Sequence, residues 1–194
     1  VDVEAILTTR SLVRSYGDMR AVDGLDLTVR AGEVYGFLGR NGAGKTTTIR
    51  MILGLLHPTR GSGQALGHDI VADSVELRAQ LGYLPGDLAL YDRMQGRDLL
   101  AFIARMRGGV LPARYEELAE RFQVDLDRRV KDLSRGHRQK TGVGQAFMHA
   151  PQVRILAERL FGTAPARIAA DVEHRRQPLV RADCPRLAAH DVGH

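Results

Sequence analysis

Apolar and polar residues alternate along two stretches near the N-terminus, from Leu7 to Tyr16 and from Leu25 to Arg30. This period of two predicts a pair of strands, and we expect Asp23-Gly24 to join them. A short apolar run from Val34 to Leu38 is typical of a buried strand. The N-terminal part of the chain is therefore expected to form β-structure.

A helix is predicted from Thr46 to Leu56, and we expect it to stop at His57-Pro58 because proline cannot continue a helix. Three glycines between Thr59 and Asp69 predict a surface turn or hairpin, which leads to a short helix near residues 71–80. Leu81 to Leu84 is then predicted to be another short strand. Strands and short helices are thus mixed in this part of the chain.

The middle of the chain has a helical period instead. Apolar residues recur three and four positions apart in two runs separated by glycines and Pro112, namely Leu99, Phe102, Ile103 and Met106, then Tyr115, Leu118, Ala119 and Phe122. This spacing predicts two amphipathic helices whose apolar stripes contribute to the core. Ser134 is a favourable N-cap for a third helix that continues towards Ala150. We therefore expect an α/β core with a helical insertion over about residues 87–145.

The pattern weakens towards the C-terminus. Val153 to Leu156 is predicted to be a buried strand, although Arg154 interrupts its apolar run. From Arg159 onward arginines and prolines are frequent, and no long periodicity holds. Two interpretations of this change stay open, a degenerate or truncated C-terminal part and a frameshift in the coding sequence.

Composition narrows the class of protein. The 194 residues are 44% hydrophobic and 26% charged, which is ordinary for a globular domain. We expect no membrane span and no signal peptide, and the single Cys184 fits a reducing compartment. The formal net charge of +5 suits acidic lipid or nucleic acid, but it is also typical of an arginine-rich composition. Since the basic residues are scattered and no nucleic-acid-binding motif is present, we expect no nucleic-acid partner.

One motif carries a specific chemistry. The pattern G-x-x-x-x-G-K-[ST] of a phosphate-binding loop is matched by Gly39, Arg40, Asn41, Gly42, Ala43, Gly44, Lys45 and Thr46, with Thr47 following. Its glycines allow a tight turn in which several N–H groups point at one anion. Lys45 supplies positive charge for the β- and γ-phosphates, and the Thr46 hydroxyl is a ligand for Mg²⁺. The predicted strand before the loop and helix after it favour a nucleotide site over a chance match.

Two further features are weaker when each is taken alone. Tyr16 offers an aromatic face on which a nucleotide base can stack, but an ordinary strand-end tyrosine is the simpler interpretation. The stretch Leu133 to Lys140 places Ser134 and Gly136 at a second helix N-terminus suited to anions. Its alternative is an ordinary capped helix.

Together, the two anion-binding stretches resemble those of the ATP-binding subunit of ABC transporters, especially in bacterial drug- and antibiotic-export systems. The loop reads GRNGAGKTTT, and LSRGHRQK resembles the signature motif of that family, with Arg135 where a glycine often stands. The resemblance covers about residues 5–150. It implies a P-loop NTPase core, with a mostly parallel sheet, flanking helices and an antiparallel N-terminal part. It also implies an inserted helical subdomain and a C-terminus that is incomplete.

The resemblance implies binding roles for individual residues. Tyr16 matches the base-stacking aromatic residue, and residues 39–47 match the Walker A loop that binds ATP, with Mg²⁺ on Thr46. Ser134 and Gly136 match signature positions that contact the γ-phosphate of ATP held by a second ATP-binding subunit. Two such subunits would form a dimer with ATP at the interface.

The resemblance also implies catalytic roles, but there the chain departs from the family. Glu158 matches the general base that orients the attacking water, and His190 matches the switch histidine. However, Gly86 stands where the family usually has Gln or Glu. Ala157 replaces the Walker B aspartate, and Ala164 replaces an aspartate at the dimer contact. Because these positions support Mg²⁺, water or the partner subunit, hydrolysis is in question.

Two functional hypotheses follow. The first is an ATPase subunit that drives export through a separate transmembrane permease, located in the cytoplasm on the inner face of the membrane. The second is a hydrolysis-deficient chain that binds ATP, either regulatory or degenerate. In both, residues 1–194 form a single ABC-type domain, with a core over 1–86 and 146–194 and a helical subdomain over 87–145. A P-loop protein acting on nucleic acid or ribosomes is a third class, which the single domain disfavours.

Overall fold

The computed structural model describes residues 4–157 and 179–182. Its strands are β1 (Ala5–Tyr16), β2 (Met19–Arg30), β3 (Val34–Phe37), β4 (Arg60–Ala65), β5 (His68–Asp69), β6 (Leu81–Leu84), β7 (Val153–Leu156) and β8 (Leu179–Ala182). Its α-helices are α1 (Lys45–Ile52), α2 (Ser74–Gln80), α3 (Gly96–Met106), α4 (Pro112–Phe122) and α5 (Arg135–Phe147), with a short 3₁₀ turn at Val130–Asp132. The predicted α/β class with an antiparallel N-terminal part is confirmed.

The strands form two sheets of different character. The antiparallel sheet has the order β2-β1-β4-β5, and the parallel sheet has the order β3-β8-β7-β6. The predicted strands at 81–84 and 153–156 are confirmed, as is the hairpin between Thr59 and Asp69. The strand β8 was not predicted, although it lies between β3 and β7 and pairs in parallel with both.

The junction predicted between the first two strands was wrong. The chain reverses at Gly17-Asp18, and β2 begins at Met19, so that Asp23-Gly24 lies inside a strand. Between the pairs Leu12–Leu25 and Arg14–Val22, β2 advances by one residue more than β1. A bulge in β2 therefore accommodates the turn-like dipeptide without ending the strand.

The helix after the P-loop is also shorter than predicted. It ends at Ile52, before His57-Pro58, because Gly54 adopts a positive φ of 62° and its N–H bonds to the Met51 carbonyl oxygen. A Cβ atom at Gly54 would lie 2.4 Å from Cβ of Ser74, so this helix end requires glycine.

Two other boundaries differ for local reasons. Helix α2 starts at Ser74 instead of near residue 71, since Oδ1 of Asp69 accepts hydrogen bonds from the N–H groups of Val71 and Ala72 and holds a turn there. The strand expected over 34–38 ends at Phe37 and is only partly buried. Partial burial follows from the position of β3 at the edge of the described sheet.

The parallel sheet lies between two hydrophobic clusters. Leu81, Val153 and Ile155 pack with residues of α1, α2 and the antiparallel sheet. Leu84 and Leu156 pack instead with the apolar stripes of α3, α4 and α5. Alternate side chains of β7 therefore face opposite sides of the sheet. Within residues 4–157 and 179–182, no helix has both the length and the apolar character that a membrane crossing requires.

An arginine of β7 contacts an aromatic ring of α5 in the interior. Arg154 is 1% exposed, and its guanidinium carbon lies 4.8 Å from the centre of the Phe147 ring. Nearby, Nε2 of His149 lies 3.1 Å from the Leu81 carbonyl oxygen and 3.5 Å from the Arg107 guanidinium. Burial, followed by the charge of Arg107, lowers the pKa of His149 from 6.5 to about 4. The imidazole is therefore neutral near pH 7 and donates its Nε2–H to Leu81.

Candidate functional site: a phosphate-binding cleft

A cleft of about 450 Å³ opens where β3 leads into α1, which is within the usual size of a small-molecule site. Its walls come from the β1–β2 hairpin, the P-loop with α1, and the end of β7. The lining residues are Tyr16, Met19, Ala21, Asn41, Gly42, Ala43, Gly44, Lys45, Thr46, Thr47, Ile49 and Ala157. The cleft thus contains Tyr16 and most of the predicted phosphate-binding residues.

The backbone of the loop is folded for close approach. Gly44 is the N-cap of α1, with a φ of 79°, and a Cβ atom there would lie 2.2 Å from the Ala21 carbonyl oxygen. Glycine is therefore required both by the left-handed conformation and by the packing against β2. Helix α1 starts directly at Lys45 and is anchored by buried Thr48, Ile49 and Met51. Its N-terminal N–H groups and its positive dipole end lie at the cleft, since Lys45, Thr46 and Thr47 line it.

Lys45 lies across its own loop. Its ammonium group donates hydrogen bonds to the carbonyl oxygen of Gly39 and, at 3.0 Å, to that of Arg40. Gly39 and Arg40 therefore position the lysine without lining the cleft themselves. An ammonium held by exposed carbonyl groups beside a helix N-terminus is well placed to exchange those contacts for phosphate oxygens.

Tyr16 stands at the opposite wall. It is 45% exposed, and the guanidinium carbon of Arg14 lies 4.7 Å from the centre of its ring. Because a cation–π contact fixes the ring without covering all of it, Tyr16 presents a held aromatic surface to the cleft. The structure thus brings this residue and the P-loop to one cleft.

At the third wall, Ala157 follows the last residue of β7 and lines the cleft. The Ala157 N–H donates a 3.0 Å hydrogen bond to the Leu84 carbonyl oxygen, which extends the pairing of β7 with β6. Thr46 is exposed and supplies one hydroxyl, but the described lining residues include no carboxylate. Nor do the described residues include any group of three or more His, Cys, Asp or Glu side chains that would hold a metal ion. Mg²⁺ in nucleotide sites is usually held by oxygen ligands of the protein together with phosphates, and among the described lining residues the Thr46 hydroxyl is such a ligand.

The signature-like stretch lies elsewhere. Ser134 is the N-cap of α5, as predicted, and its Oγ accepts a hydrogen bond of 3.3 Å from the His137 N–H. Ser134 is exposed, and a Cβ atom at Gly136 would meet nothing within 4 Å. Neither residue lines the P-loop cleft. The N-terminus of α5 is thus an open surface separate from the cleft of the same chain.

Several other sequence-based expectations are differently placed. Gly86 is exposed beyond the end of β6 and does not line the cleft. Glu158, Ala164 and His190 lie outside the described residues, so their predicted roles remain predictions. The sequence analysis missed Met19, Ala21 and Ile49 as lining residues, and the first of these pairs with Tyr16 across the hairpin. Placing the turn at Gly17-Asp18 would have revealed Met19.

Comparisons with known proteins agree with this geometry. The family model described as ABC transporter matches residues 22–160. The chain is 39% identical over 168 residues to the uncharacterized ABC transporter ATP-binding protein YhaQ of Bacillus subtilis, which covers 84% of this chain and 55% of YhaQ. It is 34% identical to the bacitracin transport ATP-binding protein BcrA of Bacillus licheniformis, over 86% of this chain and 55% of BcrA.

A solved ATP-binding subunit of an ABC transporter has a similar fold, with a TM-score of 0.80 and 26% identity, over 91% of this chain and 79% of that one. The chain spans about half the length of the two curated relatives.

Proposed function

Because the chain belongs to the ABC transporter family of ATP-binding proteins, we propose that it binds ATP in the P-loop cleft and acts as the ATP-binding subunit of an export system. The observation that carries this proposal is the junction of Tyr16, the P-loop and the start of α1 around one cleft. ABC ATPase domains bind ATP, generally with Mg²⁺. The similarity to a bacitracin transport protein supports an exported antibiotic or drug as the substrate class.

Each wall of the cleft has a part in binding. The backbone N–H groups between Gly42 and Thr46 donate to the phosphates, and Lys45 moves from the Gly39 and Arg40 carbonyls to phosphate oxygens. Tyr16 stacks on the base, which accounts for its exposure beside the cleft. These contacts orient the triphosphate along the loop, with its base towards the β1–β2 hairpin.

A second copy or a related subunit completes the arrangement. Ser134 and Gly136 lie at an open helix N-terminus outside the P-loop cleft, which supports a role against ATP held by another subunit. The division into a core over 1–86 and 146–194 and a helical subdomain over 87–145 belongs to this proposal. So do Glu158 as general base, His190 as switch histidine, and the location on the inner face of the membrane.

Exposed apolar residues support contact with a membrane permease. Tyr91 and Phe102 make an edge-to-face contact with ring centres 5.8 Å apart, and both are exposed, as is Met106 one turn further along α3. Large apolar side chains grouped on a surface are typical of protein interfaces. We call Tyr91, Phe102 and Met106 the α3 surface and assign the permease contact to it.

A second candidate function is ATP binding without hydrolysis. The observation that favours it is Ala157, whose methyl group stands at the end of β7 where the family has an aspartate. Binding of ATP requires the P-loop and Tyr16. Hydrolysis also requires a positioned water molecule and charged groups that stabilise the transferred phosphoryl group. In this case the chain regulates or structurally completes a partner subunit.

The experiment is to measure ATP binding and ATP hydrolysis on the same purified chain. Lys45→Ala is expected to weaken ATP binding about tenfold or more, because a charged hydrogen bond to phosphate is worth about 1.5–3 kcal/mol. Lys131→Ala is the matched control, since Lys131 is exposed and does not line the cleft. Equal ATP binding by the two variants would refute the proposed site. Hydrolysis that is lost in Lys45→Ala supports the first function, and binding without hydrolysis supports the second.

A further inference from the structure

We propose that Arg14 is a positioning residue for the nucleotide base, because it holds the ring of Tyr16 and ties that ring to the segment that leaves the P-loop helix. The proposal rests on the ATP binding proposed above and concerns the part of the affinity that the base contributes. It gives a role in nucleotide binding to a residue that is not among the described residues lining the cleft.

Arg14 and Tyr16 lie on the same face of β1. They are two positions apart in the strand, so their side chains project to the same side of the sheet. The guanidinium carbon of Arg14 lies 4.7 Å from the centre of the Tyr16 ring. Because Tyr16 lines the cleft and Arg14 is not listed among its walls, the arginine supports the ring from outside the cleft. The ring is thus held on one side while it is presented to the cleft.

Arg14 also connects this ring to the chain that follows the P-loop helix. Its Nη1 donates a 2.9 Å hydrogen bond to the carbonyl oxygen of His57, which lies between α1 and β4. Two further hydrogen bonds join the same places: the Thr59 N–H donates to the Val13 carbonyl oxygen at 2.8 Å, and the Ser15 N–H donates to Thr59 Oγ1 at 3.1 Å. The surface for the base and the helix that starts at the phosphate loop are therefore held in a fixed relation.

The burial of Arg14 Nε supports this role. That nitrogen is buried and has no hydrogen-bond partner, which costs free energy. The contacts that set the orientation of the guanidinium are therefore the Tyr16 ring and the His57 carbonyl oxygen. The negative face of the ring attracts the cation and keeps the ring from turning. A ring that is already oriented binds a base without first paying the entropy of ordering its side chain.

The test compares the Kd for ATP with the Kd for inorganic tripolyphosphate, which has no base, by titration calorimetry on the full chain. Arg14→Gln is expected to weaken ATP binding about threefold to fivefold, as for the loss of a partly exposed cation–π contact, and to leave the Kd for tripolyphosphate unchanged. Arg10→Gln is the matched control, because it removes the same charge from an exposed position of the same strand, and both its Kd values should equal those of the unmodified chain. In a chain that already carries Tyr16→Ala, Arg14→Gln should cause no further loss of ATP affinity.

Three results would overturn the inference while leaving the proposed function intact. The first is an ATP affinity of Arg14→Gln equal to that of the unmodified chain. The second is equal weakening of ATP and tripolyphosphate, which would assign Arg14 to charge or to folding. The third is a further loss of ATP affinity when Arg14→Gln is added to Tyr16→Ala, which would show that the arginine acts without the ring.

A second variant keeps the test decisive if Arg14→Gln does not fold. Arg14→Met keeps the length of the side chain and removes its charge, and the same selective loss of ATP affinity is expected from it. Absence of ATP binding by the folded, unmodified chain would instead refute the proposed function, and this inference with it.

Discussion

The guanidinium of Arg154 lies against the ring of Phe147, with 4.8 Å between the guanidinium carbon and the ring centre, inside the cluster that joins the parallel sheet to the helices. Arg154 is 1% exposed and occupies a strand whose other residues are apolar. Removing a guanidinium from water is costly, and a cation–π contact returns only part of that cost. Two buried nitrogens of the guanidinium, Nε and Nη1, make no hydrogen bond, so part of the cost of burial stays uncompensated.

We therefore expect Arg154→Met to raise the free energy of unfolding by about 1 kcal/mol, because an apolar side chain of similar length leaves no buried nitrogen without a hydrogen bond, as Nε and Nη1 of Arg154 now are. Urea denaturation at neutral pH measures the change. Phe147→Leu is the companion variant. A double-mutant cycle with Arg154→Met then measures the interaction energy of the guanidinium with the ring separately from the cost of burying the charge. A loss of stability in Arg154→Met would show that the guanidinium contributes more than its burial costs.

His149 makes the free energy of unfolding depend on pH in the acidic range. Its pKa is lowered to about 4 in the folded chain, mainly by burial and then by the charge of Arg107, with a smaller contribution from Arg154. An unfolded chain binds a proton near pH 6.5, whereas the folded chain does not bind it until near pH 4. The stabilising contribution is therefore complete above pH 6.5 and is lost as the pH falls from 6.5 to 4.

For this partly exposed histidine we expect the loss to be about 1–2 kcal/mol. His149→Gln should flatten the dependence of unfolding free energy on pH between 6.5 and 4, as measured by urea denaturation across that range. Arg154→Met should raise the pKa of His149, which NMR titration of the imidazole protons would detect. An unchanged pH dependence in His149→Gln would assign the acid sensitivity to other groups.

Tyr16 is predicted to contribute a stacking surface rather than a hydrogen bond. Tyr16→Ala should weaken ATP binding about tenfold, since stacking of a base on an aromatic side chain is worth about 1–3 kcal/mol. Tyr16→Phe should bind ATP like the unmodified chain. Fluorescence titration with a nucleotide analogue provides the measurement, and Tyr91→Ala, which removes an exposed tyrosine outside the cleft, is the control. A loss of binding in Tyr16→Phe would contradict stacking and indicate a role for the hydroxyl.

The α3 surface is predicted to be needed for assembly and not for nucleotide binding. Met106 is 71% exposed, so Met106→Glu should leave the fold and the ATP affinity unchanged while a charge disrupts an apolar interface. Co-purification of the chain with its membrane fraction, together with ATP titration, tests both expectations. Val75→Glu, at a 66% exposed site on α2, is the matched control. If both variants assemble equally well, the permease contact lies on another face.

Where sequence pattern and local physics agree, the sequence predicted the structure well. Leu81–Leu84 and the N-cap at Ser134 are as expected, because a short apolar run and a capped amphipathic helix are each specified by adjacent residues. The prediction placed a turn at Asp23-Gly24. In the structure the residues before and after this dipeptide pair with β1, so the dipeptide lies in a bulge within β2 and does not end the strand. Strand pairing is a tertiary property that no local window contains.

In the candidate site, too, features set by adjacent residues were predicted and features set by strand pairing were not. The P-loop was identified from residue types, whereas the binding role of Tyr16 was implied only by the family resemblance. The position of Ala157 in that cleft depends on the alignment of β7 with β6, which sets where the strand ends relative to α1. The strand β8 was missed because Leu179 to Ala182 is a brief run in a segment without periodicity. Its pairing partners, more than its own sequence, define it as a strand.

The insertion of β8 between β3 and β7 has a consequence for how the protein is made. A ribosome releases the chain from its N-terminus, and the antiparallel sheet is built from residues before 70, so that sheet is able to form early in translation. The strand that leads into the P-loop, β3, is by contrast joined to β7 only through β8, after residues 179–182 have left the ribosome. During that interval the edges of β3 and β7 that later pair with β8 are open, and such unpaired edges are prone to pair with other chains.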